Sequence, residues 1–106
     1  MPTIKFQDVR EVTVTIPNGG DVGHVDFNPG ITDQDGVAVA PDTVISEIVG
    51  VVGTLNNPCT IMVARAGVLL GIYVAKAQNA TGFDQVYTIR VTSLRWHSIQ
   101  GADHTI

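Results

Sequence analysis

The sequence predicts an all-β domain, a small β-sandwich or barrel of about seven to eight short antiparallel strands. Three observations predict it. Apolar and polar residues alternate with period two along several segments, these segments are rich in β-branched residues, and turns rich in Gly, Pro and Asn separate them. The 106 residues suit a single domain spanning residues 1–106.

The first alternating segment is residues 3–16, TIKFQDVREVTVTI. Its apolar side chains largely share one parity (Ile4, Phe6, Val12, Val14 and Ile16). Val9 departs from that parity, which predicts a bulge or a late strand start near Asp8. After the turn PNGG, residues 22–27 form a second short strand with Val25 and Phe27 on one face.

The middle of the chain is less regular. Residues 31–42 form a predicted loop with a short strand, VAVA, and its DQDG segment indicates an Asx turn, because a calcium loop in that register would need Ile31 as a ligand. Residues 43–55 fit helical spacing as well as strand. The Val, Ile and Gly content favours a strand.

Residues 59–77 are the clearest predicted hairpin, with Gly67 available for a positive φ in the turn. Their nearly continuous apolar character predicts burial on both faces. The last strand is expected from Gln85 to about Ile99. Its apolar parity switches at Ser93, which predicts a bulge or a crossing between sheet layers there, with Trp96 packed inside and Arg90 and Arg95 outward.

Charge is unusually scarce. Charged residues make up 15% of the chain, whereas soluble domains carry about 25%. The net charge of −4 and the scattered cations argue against nucleic-acid binding, and no apolar stretch is long enough for a membrane helix. We expect no signal peptide and synthesis in the cytoplasm. A chain with so little charge is expected to bury surface against copies of itself or other partners.

Catalytic and metal-binding patterns are weak. The candidate metal ligands are His24, Asp26, His97, Asp103 and His104. They lack recognised metal-site spacing, so we expect no metal and no cofactor. Cys59 has no neighbouring base and is expected to be structural. The NAT segment at 79–81 matches a glycosylation sequon that we expect to be unused. These patterns predict a protein that is not an enzyme.

Two segments carry a resemblance in texture. GTLNNPCTIMVARAGVLLGIYVAKA and VYTIRVTSLRWHSIQG resemble small bacteriophage virion proteins of the capsid decoration (cement) or fibre-tip type. The resemblance implies a non-enzymatic structural subunit in the virion, a homotrimer that contacts other virion proteins such as a major capsid protein.

The predicted interface lies in the apolar hairpin and the last strand, at Ile61, Val63, Leu69, Leu70, Ile72, Leu94, Trp96 and Ile99. Residues 1–11 are a candidate N-terminal arm that pairs with a neighbour's sheet edge. The alternative function is a carbohydrate- or surface-binding β module. Its stacking group would be Trp96, Arg95 and His97, with Tyr73 and Tyr87 as further platforms.

Overall fold

A computed structural model describes residues 4–52, 59–80 and 82–95. Within these residues the chain forms six strands and no helix, which confirms the all-β prediction. The strands are β1 (Gln7–Ile16), β2 (Val22–Phe27), β3 (Thr43–Val52), β4 (Cys59–Ala66), β5 (Leu69–Lys76) and β6 (Gln85–Leu94). Seven to eight strands were predicted. The VAVA segment forms only an isolated bridge, between Thr32 and Ala38.

The strands are arranged in two antiparallel, three-stranded sheets. The first sheet has the order β1-β6-β3 and the second sheet the order β2-β5-β4. The chain passes from the first sheet to the second at the turn after β1. There β2 lies directly against β1, because a Cβ added to Gly23 would be 2.4 Å from the carbonyl oxygen of Thr15. A side chain at this glycine would therefore push the two sheets apart.

Alternate residues of both sheets form one shared core. The fully or nearly fully buried apolar side chains are Val14, Ile16, Tyr87, Ile89 and Val91 from the first sheet and Leu70, Ile72 and Val74 from the second. Burial of this apolar surface is the main favourable contribution to folding. The inward-facing residues of the period-two patterns in β1, β5 and β6 therefore join the two sheets.

Strand β6 is regular to its end. It pairs residue by residue with β1 from Gln85 to Leu94, so the bulge predicted at Ser93 is wrong. Ser93 keeps the parity of Tyr87 and Val91 and is fully buried. The apparent parity switch arises because Leu94 lies on the outer side, where a sheet can carry an apolar residue at little cost.

Polar groups close the core at both ends. At one end Asp8 is 7% exposed and accepts hydrogen bonds from Lys5 Nζ and Arg10 Nε, both at 2.7 Å. Arg10 also lies over the ring of Phe27, 4.9 Å from its centre. At the other end the buried Lys76 donates a hydrogen bond to Gln85. These pairings satisfy polar groups that would otherwise be costly to bury.

Several local predictions are confirmed. β1 starts at Gln7, close to the late start expected near Asp8. Residues 43–52 form a strand, with a bulge between Ile48 and Gly50. Asp33 Oδ1 accepts from the backbone N–H of Asp35 and Val37, as expected for an Asx turn.

The predicted hairpin is β4 and β5. Its turn consists of Gly67 and Val68, and Gly67 has a φ of +62°. Because Val68 does not share the positive φ, the turn is of type II′. The prediction of burial on both faces is wrong for β4, whose outward side chains are exposed. The reason is that no third layer among the described residues covers the second sheet.

Candidate functional site: the outer face of the second sheet

The outer face of the second sheet consists of the side chains that point away from the shared core. They are Val22, His24 and Asp26 on β2, Leu69, Gly71, Tyr73 and Ala75 on β5, and Thr60, Met62, Ala64 and Ala66 on β4. Most of these residues are small or apolar, and Asp26 is the single carboxylate. Met62 is 56% exposed, Val22 49% and Leu69 44%. Exposed apolar surface of this kind marks interaction sites more often than isolated apolar residues do.

One row across this face contains two aromatic rings and a methionine. His24, Tyr73 and Met62 are direct neighbours on the three strands. The rings of His24 and Tyr73 stack with their centres 4.2 Å apart and their planes 17° from parallel. His24 Nε2 lies 2.7 Å from Asp26 Oδ1, so the two side chains share one face of β2. The contact orients the imidazole on the surface of the sheet.

Gly71 makes room for this group. A Cβ on Gly71 would lie 2.9 Å from Asp26 Oδ1 and 3.2 Å from Tyr73 Cε1. A side chain here would displace the carboxylate or the phenol ring. Sequence reasoning missed this grouping of His24, Asp26 and Tyr73, because β2 and β5 are distant in the chain. The spacing of two residues between His24 and Asp26 was the one signal in the sequence that indicated a shared face.

The outer face of the first sheet has a different character. A row of charge crosses its middle, where Arg90 donates to Glu47 at 3.1 Å and to Glu11 at 3.3 Å. This confirms that Arg90 points outward and places both glutamates in ion pairs. Thr13 and Thr88 lie beside the row on one side. On the other side Thr92 lies between Val9 and Ile45, two exposed apolar residues.

The predicted interface residues occupy several environments. Leu70 and Ile72 are fully buried in the shared core, so their side chains are enclosed by the chain itself. Ile61 and Val63 are partly buried and pack against the same core. Leu69 lies on the outer face of the second sheet. Leu94 lies on the outer side of β6, while Trp96 and Ile99 lie outside the described residues.

Of the predicted stacking group, only Arg95 lies within the described residues. Arg95 Nη1 donates to Ala40 O at 2.9 Å and to Asp42 Oδ1 at 3.2 Å, which ties it to the segment before β3. Tyr87 is only 3% exposed, and burial raises the pKa of its phenol above 10.0. Tyr73 is therefore the tyrosine that faces outward. Trp96 and His97 lie beyond the part of the chain that the structure describes.

The remaining candidate chemistry is limited. Among the described residues no three His, Cys, Asp or Glu side chains gather as metal ligands, and those residues enclose no cleft. The other metal candidates, His97, Asp103 and His104, fall outside this part of the chain. Cys59 is partly buried and packs against the core. The described residues also contain no helix that could cross a membrane.

Residues 1–3 of the candidate N-terminal arm lie outside the described residues, and the rest of it contacts its own chain. Residues 7–11 belong to β1 and pair with β6. The N–H of Thr32 donates to Lys5 O, and the N–H of Lys5 donates to Thr32 Oγ1. Phe6 O accepts from the N–H of Arg95. Residues 4–11 are thus held by their own chain.

The chain matches no protein-family model, no curated protein and no solved structure.

Proposed function

We propose that the protein is a non-enzymatic structural subunit, a two-sheet β-sandwich that associates with copies of itself through exposed apolar β surface. The observation that carries this proposal is the outer face of the second sheet. Its exposed residues include Met62 and Leu69, and Asp26 is its one carboxylate. Burying apolar surface of this kind stabilises an assembly by about 25 cal/mol for each Å² removed from water.

The resemblance to small phage virion proteins supports a more specific form of the proposal. In that form the subunit decorates a capsid or forms part of a fibre, and it is made in the host cytoplasm before assembly. Its partners would be further copies and other virion proteins, such as a major capsid protein. The low charge supports burial of the β surfaces in such an assembly, since obligate interfaces resemble a domain core.

The mass in solution tests self-association. Multi-angle light scattering at several protein concentrations should give a species larger than the 11.2 kDa monomer. Any larger species would support self-association, and a trimer would agree with the resemblance. A chain that stays monomeric at every concentration, up to the millimolar range, would overturn the proposal.

A second candidate function is a carbohydrate- or surface-binding module. The observation that favours it is the outward group of His24, Asp26 and Tyr73, which combines aromatic rings with a hydrogen-bonding carboxylate. Binding to a panel of immobilised glycans tests it. A signal that is lost in Tyr73→Ala and kept in Thr88→Ala, a change on the other sheet, would favour this function. Absence of any signal would count against it.

A further inference from the structure

We infer that two copies of the chain join through β4, antiparallel and about a two-fold axis, so that their second sheets form one continuous six-stranded sheet. This inference deepens the proposed self-association and rests on it. It concerns the open edge of the second sheet, whereas the proposed function rests on the outer face of that sheet.

The hydrogen-bonding groups at this edge follow from the hairpin register. Ala66 and Leu69 flank a two-residue turn and form the first hydrogen-bonded pair. Hydrogen-bonded pairs alternate along an antiparallel ladder, and the register of β4 and β5 has no bulge. The alternate residues Cys59, Ile61, Val63 and Arg65 therefore direct their N–H and C=O groups away from β5. No backbone partner for these groups occurs among the described residues.

The other edges are better protected against pairing. β3 carries a bulge and the charged Glu47. β1 and β2 lie against each other where Gly23 meets Thr15. Bulges, charges and covered edges are the usual means by which proteins prevent strand pairing.

β4 has fewer of these features. It contains no proline, no bulge and one charged residue, Arg65. The Arg65 side chain is turned back onto its own chain, where it donates to Pro41 O at 2.6 Å. The strand is thus a nearly uncharged edge of eight residues.

A second copy of β4 is a suitable occupant. For the outer faces to lie on the same side, residues opposite each other must share a parity. A pairing centred on Met62 meets this condition. It places Ile61 of each copy opposite Val63 of the other copy. Such β-branched pairs stabilise sheets. Arg65 then lies opposite Cys59, so the two arginines do not face each other.

The size of the contact also suits a pair. Four residues in each copy would contribute up to about eight hydrogen bonds, within the range of about 10 ± 5 for a typical interface. One outer face, with strands of six, eight and eight residues, covers roughly 350 Å² on standard strand spacings. Joining two copies doubles this flat area to roughly 700 Å². The pair would thus build the surface on which further assembly relies.

Disulfide trapping tests the register. In a Cys59→Ser background, Met62→Cys places two thiols opposite each other, at a Cα separation that a disulfide can span. We expect a covalent dimer on mild oxidation. Thr13→Cys, on the exposed outer face of the first sheet, is the matched control and should stay unlinked. Equal cross-linking of the two variants would overturn the inference.

A charge substitution gives an independent readout. Met62→Lys would set two ammonium groups opposite each other and should raise the dimer dissociation constant at least tenfold. Thr13→Lys should leave it unchanged. Both side chains are exposed, so both variants should fold, which circular dichroism checks. A monomeric wild type would overturn the proposed function as well. A wild-type oligomer that neither Met62 variant affects would overturn the β4 pairing alone.

Discussion

The outer faces of the two sheets differ in where charge lies. On the first sheet, Arg90 links Glu11 and Glu47 across all three strands, and the row beside it contains the exposed Val9 and Ile45. On the second sheet, Tyr73 and Gly71 occupy the corresponding central strand, and Asp26 at the border is the one carboxylate. Both faces are exposed in the single chain, so burial within the chain does not explain the difference.

The difference indicates which face is suited to water and which to a partner. Exposed ion pairs add little to stability, about 0 to 1 kcal/mol each, but a buried, unmatched charge is costly. A row of three charges therefore opposes apolar packing on the first sheet. The second sheet has no such obstacle along β4 and β5.

The largest loss of stability is expected at Asn79, which lies between β5 and β6 and bonds to the end of β1. Its buried Nδ2 donates to Ile16 O at 3.1 Å and to Phe83 O at 2.8 Å, which joins the end of β1 to the segment before β6. Asn79→Ala removes these buried hydrogen bonds and should lower the free energy of unfolding by about 2 to 4 kcal/mol. Urea denaturation measures it. Gln78→Ala, which removes one exposed hydrogen bond, should cost far less.

The opposite end of the core gives a pH-dependent test. Burial alone would raise the pKa of Asp8, but hydrogen bonds from Arg10 and Lys5, with their charges, outweigh it and hold the pKa below 3.8. The stabilisation is therefore present above about pH 3.8 and is lost as the pH falls through the lower folded-state pKa. Asp8→Asn should cost about 1 to 3 kcal/mol at pH 7.

The difference between wild type and Asp8→Asn should shrink in denaturation curves recorded below pH 3.8. Asp21→Asn, in the exposed turn before β2, should leave the unfolding free energy unchanged over the same range. A constant difference at all pH values would show that the charge of Asp8 is not what stabilises this end.

Removing the charged row should make the first face resemble the second. The combined variant Glu11→Gln, Arg90→Leu and Glu47→Gln should associate at roughly tenfold lower concentration than the wild type, a change of about 1.4 kcal/mol. Sedimentation at several concentrations measures the association. Thr88→Val adds apolar surface but keeps the charges, and should have little effect. An unchanged mass for the combined variant would show that charge does not distinguish the faces.

The smallest effect is expected inside the first sheet. Ser93 Oγ is fully buried, and no hydrogen-bond partner for it is present among the described residues. Ser93→Ala removes an unpaired polar atom and should change the unfolding free energy by no more than about 0.5 kcal/mol, or raise it slightly. Thermal unfolding measures this. A loss above 1 kcal/mol would mean that the hydroxyl has a partner in solution.

Much of the local structure was predictable from particular residues. The alternation of Val12, Val14 and Ile16 identified β1, and Gly67 identified the turn between β4 and β5, because both signals depend on neighbours in the chain. The Asx turn at Asp33 was predictable for the same reason. The charge composition also indicated a chain that would leave apolar surface exposed.

The grouping of residues from distant strands was not predictable. Tyr73 and Tyr87 are alike in the sequence, yet one faces outward beside His24 and the other is in the core. The parity of a strand shows that two faces differ but does not show which face meets another layer. For β4, whose two faces are both apolar, only the position of the other sheet decides which face is buried.

The sequence by itself determined that this chain is all-β, where its main strands lie and that it has few charges. The tertiary structure decided which strands are neighbours, that Asp8 and Asn79 secure opposite ends of the core, and that β4 has an open edge. The physical reason is range. Alternation and turn chemistry act between residues a few positions apart, whereas sheet order and burial depend on contacts between segments far apart in the chain.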